Sequence, residues 1–294
     1  MNVLKNKLTI QDLEFCEEFH FLYGPTIPVF EAHSVHALNR IIGHAKFNNR
    51  EFGTVYYRGQ NDLFSTLLPS ALRGSANPAS SCSKVGAFVN SVIADEKLPR
   101  ELKIDALGEK DAKEVVEGML QHYGIKTRFV DYVDNHWVAL WMGLHEYETI
   151  KQINSYARFN KRESNSSTYL YIILSGFPFS SSQRLMNGIY RDEKYVFVDL
   201  RQALPSTFVR PHAQHGLLVR KVFSSEADIS DYDQCDSVIG IVKVSTHNAT
   251  EWMGNGELLT QANLFPPPSH DNGYDLLLSR TDLFDVNHQI TRYV

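Results

Sequence analysis

The sequence predicts an α+β fold, because helical patterns dominate its first half and strand patterns dominate its second half. A third observation links the two halves. The segment GTVYYRGQ, at residues 53–60, has the β-branched and aromatic residues of a strand although it lies among the helices. We therefore expect a helical N-terminal half packed on a mixed or antiparallel sheet, which is built mainly from the C-terminal half and completed by the YYRG strand.

Four helices are predicted in the first half from apolar residues at three-to-four spacing and from residues that cap helices. They begin after Ser34, near Ser83, near Asp111 and at Asp134. The third ends at Gly124, a residue that readily adopts the left-handed conformation of a helix stop. The fourth continues through HWVALWMGLHEY and is apolar nearly all round, so we expect it to be buried on most sides.

The second half contains strand patterns at 168–174, 194–200, 217–223 and 237–244, followed by a turn-rich segment and a last helical patch around YDLLLSR. Before them, residues 151–167 are polar and poor in apolar periodicity, which predicts an exposed loop rather than a linker between domains. Because no internal repeat is visible, we expect a single domain over residues 1–294 with its core at about 30–285.

Composition restricts the classes of protein to consider. The 294 residues are 43% hydrophobic, which is ample for a core, and the net charge of −5 with scattered Lys and Arg disfavours non-specific binding to nucleic acid or membrane surfaces. Three cysteines without a CxxC pair predict neither a disulfide framework nor a zinc ribbon. With no apolar run near the roughly 20 residues of a spanning helix and no signal-peptide pattern, we expect a cytoplasmic protein without a membrane partner.

The first group of candidate site residues is Tyr57-Arg58-Gly59-Gln60. An arginine at the end of a strand can offer its planar fork of five donors to a phosphate or carboxylate, and the glycine that follows lets the backbone approach a ligand. The alternative is an ordinary surface arginine before a turn glycine. The tetrapeptide alone leaves both interpretations open.

The second group lies between two apolar helices and comprises Gln121, His122, Tyr123, Thr127, Arg128 and Asp131. The end of the preceding helix favours a protonated or donating imidazole at His122 through the helix dipole. Arg128 and Asp131 are three residues apart and can pair. Because buried polar side chains need partners, this cluster forms either an internal hydrogen-bond network or the lining of a cavity.

The third group is the segment 210–216, RPHAQHG, directly before a predicted strand. His212 and His215 would suit a metal only on a helix, and Pro211 together with the following strand argues against a helix there. Gln214 and Gly216 are instead typical of a point where the backbone approaches a ligand. No HExxH, GxSxG, P-loop or GxGxxG motif is present, and we predict no metal site.

Four blocks taken together resemble the FRG-domain family of bacteria and phages. They are YYRGQND at 56–62, STLLPSALRG at 65–74, MLQHYGIKTRFVDYVDNHWVALWMGL at 119–144 and RPHAQHGLLV at 210–219. The family takes its name from an aromatic-Arg-Gly motif, which corresponds to Tyr57-Arg58-Gly59 in this sequence. The chain departs from the family pattern at Tyr132, where Trp is usual, and at Asn135-His136, where Asn-Pro is common.

The order of these groups along the chain also resembles ADP-ribosyltransferases, which hold NAD with an arginine on an early strand and a polar group at the start of a later one. This resemblance implies NAD as the substrate, a macromolecular acceptor or an antitoxin or immunity partner, and a role as a toxin or phage-defence protein. The catalytic residues that it implies are Arg58, His122, Tyr123 and Gln214. The ligand-binding residues are Tyr57, Gly59, Gln60, Gln121, Thr127, Arg128, Asp131, His215 and Gly216.

Gln214 stands where a transferase often has its catalytic Glu, and an amide cannot stabilise a developing positive charge as a carboxylate does. Either Glu257 or an aspartate such as Asp131 would then substitute. A sensor that binds a nucleotide or anion without turnover is the alternative, and a nuclease would need metal-binding carboxylates in a pattern that the sequence lacks. All three hypotheses predict that Arg58, the 121–131 cluster and the segment 212–216 converge on one pocket.

Overall fold

The computed structural model describes residues 1–95, 97–104, 108–151, 155–178, 183–222, 227–284 and 288–293. The strands in these ranges are β1 Leu13–His20, β2 Thr26–Ala32, β3 Thr54–Gln60, β4 Val130–Val133, β5 His145–Lys151, β6 Ser155–Lys161, β7 Tyr169–Phe177, β8 Gln183–Met186, β9 Ile189–Arg191, β10 Tyr195–Val198, β11 Gly216–Lys221, β12 Val238–Ser245 and β13 Arg292–Tyr293. The helices are α1 Val35–Asn49, α2 Pro78–Ile93, α3 Leu98–Glu101, α4 Glu109–His122, α5 His136–Leu144, α6 Leu200–Ala203, α7 Val209–Gln214, α8 Ile229–Tyr232, α9 Thr246–Trp252, α10 Gln261–Leu264 and α11 Asn272–Ser279.

Ten of the described strands form one mixed sheet in the order β1-β2-β12-β7-β3-β4-β11-β10-β9-β8, and three form a small sheet in the order β13-β6-β5. The predicted α+β class is confirmed. β3, the YYRG strand, lies in the middle of the large sheet, and the hairpin β1-β2 and the short strand β4 also join that sheet from the first half of the chain. No helix of the described ranges has both the length and the apolar character to cross a membrane.

Helices cover the two halves of the large sheet separately. α1 and α5 pack on the half that contains β2, β12, β7 and β3, where Leu38, Leu140 and Ile172 share one core. α4 packs on the other half through Met119, which lies with Val198 of β10 in a second core. Each half of the sheet therefore has its own helical support, and the boundary between the halves falls between β3 and β4.

The predicted helix boundaries hold at some ends and fail at others. Ser34 caps α1 as predicted, since its hydroxyl accepts a hydrogen bond from the backbone N–H of Ala37 at 3.2 Å. The predicted cap at Asp134 is wrong, because Asn135 caps α5 by accepting from the N–H of Trp137. This helix ends at Leu144, earlier than predicted, and most of it is buried, as expected. α2 begins at Pro78, five residues before Ser83.

The prediction of a loop over 151–167 is wrong for Ser155–Lys161, which forms β6 in the small sheet. β6 pairs with β5 along its whole length and with β13 at Tyr156 and Ala157. Several of its side chains are exposed, so polar residues occupy the outer face and the apolar alternation of a strand is weak.

The large sheet divides between β3 and β4. β3 pairs with β7 at seven positions, and β4 pairs with β11 at four. In contrast, β3 and β4 share the single described pair Tyr57↔Val133. Beyond this pair, the residues from Arg58 to Gln60 on β3 and from Val130 to Tyr132 on β4 are not paired with each other, which leaves room for a cavity between them.

Candidate functional site

A cavity of about 690 Å³ opens where β3 and β4 separate, and its size falls in the range of small-molecule sites. The predicted site residues that line it are Tyr57, Arg58, Gly59, Gln60, Gln121, His122, Asp131, Gln214 and Gly216. The three groups singled out in the sequence therefore converge, as predicted, although they are far apart along the chain.

Two arginines stand on one wall of the cavity. Arg58 reaches across the gap in the sheet, where its Nη1 donates a hydrogen bond to the backbone oxygen of Asp131 at 2.9 Å. Arg73 also lines the cavity, and the surrounding protein, followed by the positive charge of Arg58, lowers the pKa of Arg73 to about 10. Arg73 was not among the predicted site residues, although it belongs to the STLLPSALRG block. Arg73 therefore keeps its charge at neutral pH.

The carboxylate of Asp131 faces these arginines. Its Oδ2 lies 4.0 Å from Nη1 of Arg58 and accepts a hydrogen bond from Nε2 of Gln121 at 2.7 Å. Gln121 is held in turn by Thr127, whose hydroxyl donates to Oε1 of Gln121. Asp131 is 46% exposed and is the only acidic residue among the described residues that line the cavity, whereas Glu257 does not line it. The network therefore fixes the orientation of a single carboxylate that a ligand can reach.

His122 is the last residue of α4 and is buried, and its Nε2 has no hydrogen-bond partner among the described residues. Burial lowers the pKa of His122, which outweighs the nearby negative charge of Asp131. Of the protonated or donating imidazole expected at His122, burial therefore disfavours the protonated form. Gln214, also buried, donates from Nε2 to the backbone oxygen of Leu264 at 2.9 Å.

Two of the glycines that line the cavity, Gly59 and Gly216, have packing roles. A Cβ added to Gly59 would lie 1.8 Å from the backbone oxygen of Ala139, so this glycine allows β3 to pack against α5 rather than only admitting a ligand. A Cβ added to Gly216 would lie 2.6 Å from Nε2 of His122. Gly216 therefore leaves the space that the imidazole occupies.

Three predicted residues of the second group do not line the described cavity. Tyr123 is fully buried and its hydroxyl donates to Oδ2 of Asp271 at 2.8 Å, because it is turned into the core below α4. Thr127 is buried beneath Gln121. The predicted pairing of Arg128 with Asp131 is wrong, because Arg128 binds Glu117, to which its Nε donates at 3.0 Å.

The segment 210–216 also differs from expectation. Val209–Gln214 forms the short helix α7 despite Pro211, which sits in the first turn where no N–H is needed. His212 is exposed, and His215 has a left-handed backbone with φ of 53°. The His215 Nδ1 lies 3.0 Å from Oδ1 of Asp134, so this side chain is turned away from the cavity.

Arg210 lies directly behind the cavity wall and is fully buried. Its guanidinium lies 4.4 Å from the ring centres of both Tyr123 and Tyr274 and 4.6 Å from that of Tyr293, which is a cation–π cage. Its Nη1 donates to the backbone oxygen of His122 at 3.0 Å. Arg210 therefore fixes the C-terminal end of α4 from within the core.

Aromatic rings that the sequence did not single out form another wall. Tyr147, Phe159, Phe265 and Tyr293 all line the cavity. They come from the small sheet and from the segment after α10. Among the described residues, no group of three or more His, Cys, Asp or Glu side chains is arranged to hold a metal ion.

The cavity lies in an α+β fold, at the division of its mixed sheet, and is lined by arginines, one carboxylate and aromatic rings. Such a site suits an anionic ligand that carries a flat ring. A family model described as FRG domain matches residues 53–169, which include Tyr57-Arg58-Gly59 and the 121–131 cluster. This match supports the FRG family for that part of the chain, and the segment 210–216 lies outside it. Comparison with curated proteins and with solved structures gives no match.

Proposed function

We propose that this chain binds NAD in the cavity and cleaves its nicotinamide–ribose bond, as ADP-ribosyltransferases and NAD glycohydrolases do. The observation that carries the proposal is the position of Asp131, an accessible carboxylate 4.0 Å from a guanidinium nitrogen of Arg58. The pair provides a negative charge for a cationic ribose beside a positive charge for a phosphate. Arg73 adds a second positive charge to the same cavity.

In this reaction, Arg58 and Arg73 bind the pyrophosphate of NAD, since a guanidinium presents paired donors to phosphate oxygens. The bond between ribose C1′ and the nicotinamide nitrogen breaks, and nicotinamide leaves with the electron pair. Asp131 stabilises the positive charge that develops on the ribose. Neutral His122 and the amide of Gln214 face the same cavity and provide hydrogen-bonding groups for the ribose hydroxyls.

A nucleophile then forms a bond to C1′ and releases its proton to solvent. With water as the nucleophile, the products are ADP-ribose, nicotinamide and a proton. With a side chain of an acceptor protein, the product is an ADP-ribosylated protein. Either outcome consumes NAD, which is the chemistry that suits a toxin or phage-defence protein controlled by an antitoxin or immunity partner.

The test is nicotinamide release from NAD by the purified chain, with and without a cell extract that supplies acceptors. We expect Asp131→Asn to lower kcat about 100- to 1000-fold with little change in KM, because the substitution removes a charge needed mainly in the transition state. The matched control is Asp134→Asn. This neighbouring carboxylate is also partly exposed but pairs with Arg201 and His215 outside the cavity, so kcat should be unchanged. Absence of release by the wild type in both conditions, or equal release by Asp131→Asn, would overturn the proposal.

A second candidate function is a sensor that binds a nucleotide without turnover. The observation that favours it is Gln214, an uncharged amide where a transferase often has its catalytic Glu, held by one hydrogen bond from its Nε2 to the backbone oxygen of Leu264. A sensor predicts saturable binding of NAD and a raised melting temperature without nicotinamide release. The same assay therefore separates the two functions.

A further inference from the structure

The small sheet presents a row of aromatic side chains along one face. Tyr147 of β5 lies directly opposite Phe159 of β6, with ring centres 5.4 Å apart. Tyr293 of β13 pairs with Ala157, two residues before Phe159, so it points to the same face because side chains alternate along a strand. The rings of Phe159 and Tyr293 are 5.9 Å apart and within 4° of parallel. We call Tyr147, Phe159 and Tyr293 the aromatic ledge.

The aromatic ledge faces the same cavity as the arginines. Phe159 and Tyr293 also pack against the core beneath α5, which fixes their rings, whereas Tyr147 is 49% exposed at the outer end of the row. A large ring that stands half exposed in a cavity, beside two rings already fixed, offers apolar surface that a ligand would remove from water. The exposed ring of Tyr147 is therefore a surface on which a flat ring can stack, next to the two fixed rings.

The length of the ledge distinguishes between kinds of ring. Its three ring centres span successive spacings of 5.4 and 5.9 Å, which is more surface than a single six-membered ring covers. The rings of Tyr147 and Phe159 are inclined by 58°, so two fused rings stacked on Tyr147 would also reach the ring of Phe159 at an angle. Base–aromatic stacking is also tolerant of the base's hydrogen-bonding groups, so stacking on an aromatic ring contributes to binding by itself.

We infer that the aromatic ledge is the subsite for the purine base of the nucleotide, with the phosphates at Arg58 and Arg73. This inference rests on the proposed nucleotide-binding function. It adds that the aromatic ledge binds the purine end of the ligand. The purine stacks on Tyr147 and meets the ring of Phe159, which is inclined by 58°, with its edge, and the reacting ribose lies at Asp131. The nicotinamide ring is then bound elsewhere in the cavity.

The experiment measures dissociation constants by calorimetry for two ligands, ADP-ribose, which carries the purine, and nicotinamide mononucleotide, which does not. We expect Tyr147→Ala to weaken ADP-ribose binding about 5- to 30-fold, the loss of one stacking partner, and to leave nicotinamide mononucleotide binding unchanged. Tyr147→Phe keeps the ring and should retain the wild-type affinity. Phe52→Ala is the matched control, because Phe52 is also 49% exposed but does not line the cavity.

The outcomes separate this inference from the proposed reaction. Loss of ADP-ribose binding in Tyr147→Ala supports the ledge even if the wild type releases no nicotinamide. Nicotinamide release with an unchanged ADP-ribose dissociation constant in Tyr147→Ala overturns the ledge and leaves the reaction standing. A loss confined to nicotinamide mononucleotide would assign the ledge to the pyridine ring and overturn the purine subsite. If neither ligand binds the wild type, both proposals fail.

Discussion

Two regions of this molecule contain arginines that differ in how closely a carboxylate approaches the guanidinium group. On α4, the buried carboxylates of Glu114 and Glu117 contact the guanidinium groups of Arg191, Arg220 and Arg128 directly. In the cavity, Arg58 lies 4.0 Å from the nearest carboxylate oxygen of Asp131, and Arg73 has no carboxylate within that distance in the described ranges. Arginines that pair with buried carboxylates support the fold, whereas arginines without a carboxylate at hydrogen-bonding distance remain available to an anionic ligand.

The largest expected effect concerns the α4 region. Glu114→Gln leaves Arg191 and Arg220 beside an uncharged amide in a buried site, so the free energy of unfolding should fall by about 3 kcal/mol or more. Urea denaturation measures this change, and ADP-ribose affinity should be unaffected. Glu109→Gln, on the exposed side of the same helix, is the control and should leave the urea midpoint unchanged. An unchanged midpoint for Glu114→Gln would contradict a structural role for these ion pairs.

In the cavity region, removal of an arginine should change ligand affinity more than stability. Arg58→Ala should weaken ADP-ribose binding about 10- to 100-fold, equivalent to roughly 1.4 to 2.8 kcal/mol, with a smaller effect on stability. Arg58→Lys should have an intermediate affinity, because lysine keeps the charge but not the planar fork. Calorimetry at two salt concentrations measures both variants. Arg50→Ala removes an exposed arginine outside the cavity and serves as the control; an equal loss in this variant would show that net charge, not the site, determines binding.

A third effect is a dependence of stability on pH that arises from histidines rather than ion pairs. Burial lowers the pKa of His122 and lowers that of His136 to about 4, from a usual value of 6.5. As pH falls below 6.5, the unfolded chain takes up protons before the folded one does, so stability present at neutral pH is lost towards pH 4. Each histidine contributes a slope of at most about 1.4 kcal/mol per pH unit.

Melting temperatures at pH 7, 6 and 5 measure this dependence. His136→Asn removes one titrating group and should give a shallower decline between pH 6 and pH 5. An identical decline in wild type and variant would show that His136 is already protonated in the folded protein. Since guanidinium groups stay charged over this range, the decline should leave the contrast between the two arginine regions intact.

Much of the architecture could be predicted because its signals are local. The apolar spacing of α1, the cap at Ser34 and the β-branched run of β3 are each contained in a few neighbouring residues. The hairpin β1-β2 was not predicted. β1 is an edge strand with mostly exposed side chains, so it needs no alternation of apolar and polar residues to fold.

The site could be predicted only in part, because its geometry depends on which distant elements meet. Sequence spacing suggested Asp131 as the partner of Arg128, but the packing of α4 brings Glu117 closer. Tyr123 follows His122 along α4, and the rotation of about 100° per residue turns it into the core. Phe159 lies in a segment whose polar composition predicted a loop, so one member of the aromatic ledge gave no signal in the sequence.

The single residue pair between β3 and β4 has a mechanical consequence. Backbone hydrogen bonds couple neighbouring strands of a sheet. Here the block that contains β7 and β3 and the block that contains β4 and β11 are each well paired, but only one described residue pair joins them. Besides the pair Tyr57↔Val133, the side chain of Arg58 links the blocks through its hydrogen bond to the backbone oxygen of Asp131. A ligand that binds Arg58 on β3 and Asp131 on β4 would link the two blocks. Its binding should therefore slow amide hydrogen exchange in both of these strands.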